Sequence, residues 1–186
     1  MLSKLSNPQP RLLSLLILLV CAIWIIFSRV DDKQINTHSN SVPFAGFEAP
    51  DFRVADINGE SISLSNYKGQ TVLLNFWASW CSPCRAEMPA MERIYQDYKD
   101  QGFELLALNS THQDGKQNAI DFADELNLSF PILFDETGSV SNQYQIQALP
   151  SSFFIDGSGT IQEVVIGGPM SEALLRIRVQ NLLEGK

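Results

Sequence analysis

Trp77-Ala78-Ser79-Trp80-Cys81-Ser82-Pro83-Cys84-Arg85-Ala86-Glu87-Met88-Pro89 is the stretch on which the reading of the fold turns. Just upstream, residues 71–77 (TVLLNFW) form an apolar run broken by Asn75, the pattern of a strand buried on both faces. Downstream, Met88, Met91, Ile94, Tyr95 and Tyr98 recur near helical spacing, so residues 83–99 read as a helix, which Pro89 is expected to kink. The two cysteines therefore lie where a buried strand gives way to a helix. There the unpaired backbone N–H groups and the positive end of the helix dipole stabilise a thiolate at Cys81. Cys84, one turn on, is close enough to close a small disulfide ring. A Cys81 thiolate can attack a disulfide, and Cys84 can resolve the mixed disulfide that results.

Other uses of the pair fit less well. A structural disulfide across two residues would constrain almost no loop. A zinc site needs two further ligands, and the candidates of the usual type are His38, His112 and carboxylates. A c-type haem attachment needs histidine directly after the second cysteine, and Arg85 stands there. The remaining cysteine, Cys21, reads as a small apolar helix residue.

Upstream, Asn58-Gly59 separates two alternating segments, 52–57 and 61–64, and predicts a hairpin. Lys68-Gly69 marks a second turn. Strands are expected at 103–108 and 131–134, and helices at 116–128 and 139–146. A late hairpin of 152–155 and 160–166 turns at Asp156-Gly157-Ser158-Gly159, and residues 171–183 form the last helix. Strands alternating with helices, followed by a hairpin, give an α/β fold with a mixed sheet and helices on both faces. Phe76 and Trp77 are expected in the core, Arg85 and Glu92 at the surface, and His112 on a solvated loop. Asn109-Ser110-Thr111 and Asn127-Leu128-Ser129 match the short glycosylation pattern, which occurs often by chance.

Ahead of this domain, residues 12–27 are apolar except Ser14, and Arg11 and Arg29 bracket them. With Ser28 the uncharged run is seventeen residues, the short end of a membrane-spanning helix. Trp24-Ile25-Ile26-Phe27 closes it without the small residues of a cleavage site, so an uncleaved anchor is favoured over a signal peptide. Leu19 and Val20 before Cys21 disfavour a lipoprotein. Lys4 and Arg11 orient the N-terminus towards the cytoplasm. The expected organisation is a cytoplasmic segment 1–11, an anchor 12–28 in the lipid bilayer, a polar tether 29–45 and a domain 46–186.

Hydrophobic residues make up 45% and charged residues 18% of the 186, a globular composition rather than a disordered or polytopic membrane one. Three of the thirteen Lys+Arg precede Val30 and none of the twenty-one acidic residues do, so the remainder carries a net charge of −11. Such a domain is repelled by phosphate backbones, and nucleic-acid binding is not expected.

The CxxC stretch with Pro89, the Ala49-Pro50-Asp51-Phe52 segment with residues 64–69, and Leu149-Pro150 before Ser152-Phe153-Phe154-Ile155-Asp156 together resemble a known group. The chain looks like a membrane-anchored, thioredoxin-like thiol–disulfide oxidoreductase of the ResA/TlpA/CcmG (DsbE) group, over about residues 49–183. The resemblance implies a thioredoxin-like fold with an N-terminal β-hairpin and a helix–strand insertion at 116–134. It places Cys81 at the nucleophile position, Cys84 at the resolving position and Trp80 at the aromatic position before the nucleophile. It places Pro150 at a cis-proline that turns the Leu149 backbone towards Cys81 and presents an edge to the substrate chain. Where thioredoxins carry a buried proton-accepting aspartate, this chain has Asn75, which cannot titrate. Glu87, three residues after Cys84, is the expected replacement: a partly buried carboxyl of raised pKa that takes the Cys84 proton.

The function expected is extracytoplasmic reduction of disulfides in exported proteins by a monomer, with no cofactor or metal called for. A membrane thiol-electron carrier would re-reduce the dithiol. The resemblance adds a role in c-type cytochrome maturation, with apocytochrome c as substrate. Three alternatives differ in chemistry. A thiol peroxidase shares the leading segment but calls for threonine three residues before its cysteine, where Ala78 stands. A copper-binding assembly factor uses a CxxxC pair and a distal histidine, whereas the spacing here is CxxC and His112 is the only plausible distal ligand. A disulfide-donating oxidase is disfavoured because Ser82-Pro83 carries no cation to stabilise a thiolate strongly.

Overall fold

The computed structural model describes residues 17–21, 24 and 42–185. The chain divides into two units, residues 1–38 and 39–186. In the first, residues 17–21 and 24 are helical, with exposed side chains. Most of the expected anchor, 12–28, lies outside the described residues. Among the described residues no helix is long and apolar enough to cross a membrane.

The second unit is built on one seven-stranded sheet. Its strands are β1 (Arg53–Asp56), β2 (Ser61–Ser63), β3 (Thr71–Trp77), β4 (Phe103–Asn109), β5 (Ile132–Phe134), β6 (Ser151–Ile155) and β7 (Ile161–Ile166), in spatial order β2-β1-β5-β4-β3-β6-β7. The helices are α1 (Ser82–Tyr98), α2 (Lys116–Glu125), α3 (Ser139–Gln143) and α4 (Glu172–Leu183). β3, β4 and β5 run parallel, and β6 and β7 close one side antiparallel. The β1–β2 hairpin closes the other, with Asp56 Oδ1 accepting from the Asn58 and Glu60 N–H groups at 2.8 and 2.7 Å to shape its turn. This is the mixed, thioredoxin-like sheet anticipated from the sequence.

Every residue of β3 is buried, as its apolar run requires. Strand alternation sends Leu73, Asn75 and Trp77 to one face and Val72, Leu74 and Phe76 to the other. The first face packs under α1, α2 and α4, through Met88, Met91, Ile94, Phe122, Leu175 and Val179 among others. The second packs under α3 and the segment around Ala49 and Phe52. Helices cover both faces, but the three long ones share one face, and only short α3 lies on the other.

Two helices end earlier than their apolar residues suggest. α2 stops at Glu125 instead of 128, and α3 stops at Gln143 instead of 146. In each a non-glycine residue takes the left-handed conformation, Asn127 at φ 50° and Gln145 at φ 53°. The following N–H then reaches back to close the helix, Leu128 to Ala123 O at 3.0 Å and Ile146 to Ser141 O at 2.9 Å. The apolar residue past the end still packs on the core, which is why periodicity alone overruns. At Pro89, α1 continues as one helix, with the proline on its exposed side.

Candidate active site

Cys81 is the N-cap of α1. Its backbone is extended (φ −77°, ψ 104°), its Sγ accepts from the Cys84 N–H at 3.3 Å, and Pro83 sits in the first turn, where a helix has no use for an N–H. Cys81 and Cys84 form a disulfide, with Cα atoms 5.2 Å apart. Cys84 is fully buried and Cys81 only 4% exposed, so solvent reaches the pair through Cys81 alone, by a narrower opening than its place at the helix terminus suggests.

Glu87, one turn beyond Cys84, is fully buried rather than partly buried as anticipated. It faces the sheet instead of the rim. Its Oε1 accepts from Asn75 Nδ2 at 3.2 Å and its Oε2 from the Met170 N–H at 3.0 Å. Burial pushes its pKa from 4.5 up to about 6, and the two hydrogen bonds only partly counter that. Asn75 also donates to Ser152 Oγ at 3.0 Å, across the β3–β6 ladder where the two residues are direct partners. Asn75 is thus no bystander to Glu87 but its immediate neighbour.

The Leu149–Pro150 peptide bond is cis, as the resemblance implies. Phe76 pairs with Ser151, which brings the Pro150 end of β6 to the same sheet end as Trp77 and the catalytic turn. The Pro150 carbonyl accepts from the Gly167 N–H at 2.8 Å. At Gly168 a side chain has no room: a Cβ would stand 2.8 Å from Pro150 Cγ and 2.9 Å from Glu87 Oε2. Gly168 thus lies between the cis-proline and the buried carboxyl.

Trp80 is 59% exposed, and its indole N–H donates to the Gln113 carbonyl at 3.1 Å. The loop that holds it is organised by Asp114, which the sequence reading passed over. Asp114 accepts from the Ser79 N–H at 2.6 Å, the Ser79 hydroxyl at 2.7 Å, the Asn109 amide at 2.9 Å and the Gly115 N–H at 2.9 Å. Burial alone would raise its pKa, but these bonds outweigh burial and hold it below the usual carboxylate range. An Asp-Gly pair just before a helix was the available signal.

Phe76 and Trp77 are wholly buried. Arg85 is half-exposed, paired with Glu125 at 3.1 Å and stacked 4.4 Å over the Phe122 ring. Glu92 caps a neighbouring loop by accepting from the Ser129 N–H at 2.9 Å. His112 is exposed, bonded to the Gln113 side chain at 2.7 Å, and its ring lies against Gly138. Asn109 is buried and bonded to Asp114, so its glycosylation pattern is sterically closed. Among the described residues no group of three or more His, Cys, Asp or Glu is placed to hold a metal ion.

Comparison with known proteins agrees with this geometry. The AhpC/TSA family model matches residues 45–164. The thiol-disulfide oxidoreductase ResA of Oceanobacillus iheyensis is 39% identical over 158 residues, 82% of this chain and 78% of its own. The thioredoxin-like protein YneN of Bacillus subtilis is 37% identical, over 77% of this chain and 81% of its own. A solved structure described as the thiol:disulfide interchange protein DsbE of Chlorobium tepidum superposes with a TM-score of 0.70 at 32% identity, covering 75% of this chain and 98% of that one. With its CxxC pair intact and these relatives spanning most of its length, the chain belongs to the thioredoxin-like AhpC/TSA family, as a thiol–disulfide oxidoreductase of the ResA and DsbE kind.

Proposed function

We propose that this protein reduces disulfides in exported proteins on the outer side of the membrane, with Cys81 as nucleophile and Cys84 as resolving cysteine. The observation that carries the reading is the position of Cys81 as N-cap of α1, with the Cys84 N–H aimed at its sulfur. That hydrogen bond and the helix dipole favour a Cys81 thiolate over one at Cys84.

The Cys81 thiolate attacks one sulfur of a substrate disulfide, and the other leaves as a thiolate and is protonated. Glu87 takes the Cys84 proton. The Cys84 thiolate then attacks Cys81 Sγ and expels the second substrate thiol. Two electrons have passed to the substrate, and Cys81–Cys84 is left as the disulfide. A membrane thiol-electron carrier returns the pair to the dithiol. Trp80, Leu149 and Pro150 line the place where the substrate backbone docks.

The anchor 12–28 and tether 29–45 hold the domain at the bilayer. Apocytochrome c, with its paired haem-attachment cysteines, is the substrate that the ResA and CcmG likeness suggests. Ala78 at the position that peroxidase chemistry gives to threonine argues against peroxidase activity within this family. The CxxC spacing argues against the copper-carrier reading, and copper titration of the reduced protein separates the two.

Trapping tests the assignment of roles. Cys84→Ala should accumulate mixed disulfides between Cys81 and its substrates, seen as reducible bands on non-reducing gels. Cys81→Ala should accumulate few. Equal trapping by the two variants would reverse the roles.

A further inference from the structure

Asn75, Glu87 and Ser152 form a polar cluster inside the α1 face of the sheet, and none is more than 1% exposed. Asn75 Nδ2 spends both hydrogens, one on Glu87 Oε1 and one on Ser152 Oγ. Its Oδ1 is buried without a partner among the described residues. The arrangement suits a carboxylate, which only accepts. It suits a carboxylic acid less well, because one oxygen then carries a hydrogen. Oε2 accepts from the Met170 N–H at 3.0 Å, and a proton placed on Oε1 in the direction of Asn75 would meet its N–H2 donor to donor.

We infer that Asn75 and Ser152 form a reversible cradle for the Glu87 carboxyl, in which the Asn75 amide turns over when Glu87 gains or loses its proton and the Ser152 hydroxyl changes from acceptor to donor to match. A half-turn of the amide puts Oδ1 where Nδ2 was. Oδ1 then accepts from the Glu87 O–H and, through its second lone pair, from the Ser152 O–H. A hydroxyl serves both orientations because it rotates and can donate or accept. The turn exchanges an unpaired carbonyl oxygen for an unpaired N–H2 at the same buried place, a cost that the two bonds then accepted by Oδ1 offset. No bond between heavy atoms forms or breaks. The single covalent change is the O–H on Oε1, whose proton comes from water or, during turnover, from Cys84.

The groups facing Glu87 are few. β3 contributes the Asn75 amide. The segment between β7 and α4 contributes the Met170 N–H and the Gly168 backbone, and Cys84 lies one turn back on α1. Burial and two hydrogen bonds set its titration, with no charged side chain among the causes. Asn75 and Ser152 are accordingly positioning residues: they act on the reaction only through Glu87.

The use of the cradle rests on the proposed role of Glu87 towards Cys84, but its test does not. In the oxidised full-length protein, the Glu87 carboxyl carbon and the Asn75 side-chain amide are followed by NMR against pH. The expected result is one shared midpoint, near pH 6. Glu87→Gln presents an N–H to Asn75 as the neutral acid presents an O–H. It should hold the Asn75 amide signals at their low-pH position at every pH. Asn75 signals that stay fixed while Glu87 titrates would overturn the cradle, as would Glu87→Gln signals matching the high-pH wild type. Because the disulfide stays closed, a failure of Glu87 as base for Cys84 leaves these results unchanged. That failure is read separately, as an unaltered rate of mixed-disulfide resolution in Glu87→Gln.

Discussion

Glu87 is a buried acid with no cation beside it among the described residues, and that has consequences for stability as well as for chemistry. Its folded-state pKa of about 6 lies above the ordinary 4.5. The folded chain therefore binds a proton that the unfolded chain has released, in the window between those values. Stability falls as pH rises through that window and stays lower above it. The loss is on the order of 2 kcal/mol for a shift of this size. Glu87→Gln removes the ionisation and keeps the shape. The oxidised variant should match wild type near pH 4 and exceed it at pH 7 by up to about 2 kcal/mol in urea unfolding. An equal gap at both pH values would mean that Glu87 does not titrate in the fold.

The catalytic turn between β3 and α1 is held from outside by the loop between β4 and α2. Asp114 joins the two, with four donors on one carboxylate, two of them from Ser79, two residues before Cys81. Asp114→Ala leaves the Ser79 N–H without its acceptor and frees the loop that positions Trp80. A loss of about 1–3 kcal/mol in chemical unfolding is expected. A more accessible Trp80 in fluorescence quenching should accompany it, and unchanged quenching would show that Trp80 is held without Asp114. The strand–turn–helix around Cys81 was legible in the sequence because apolar run, CxxC and helical spacing all bear on neighbouring residues. The ties between Asp114 and Ser79, and between Ser152 and Asn75, were not. They depend on strand register and loop docking across 35 and 77 residues. The ends of α2 and α3 were missed for a local reason: asparagine and glutamine occupy left-handed positions that a reader assigns to glycine.

At the scale of the whole chain, the acidic domain and the apolar N-terminal run predict a division of labour between catalysis and tethering. Full-length protein should stay in the membrane fraction after carbonate washing. A chain lacking residues 1–40 should be soluble and keep its dithiol activity, since among the described residues the two hydrophobic clusters of the domain begin at Ala49. A soluble full-length protein would remove the anchor from the account. On the proposed reading, delivery of electrons from Cys81 and Cys84 to disulfides outside the cytoplasm defines what the protein does. It is tested most directly by acid-quenching living cells and alkylating the free thiols, which reads the redox state of the pair in place. A reductase requires a pair that is mostly reduced, and a pair found mostly as the disulfide would identify an oxidase instead.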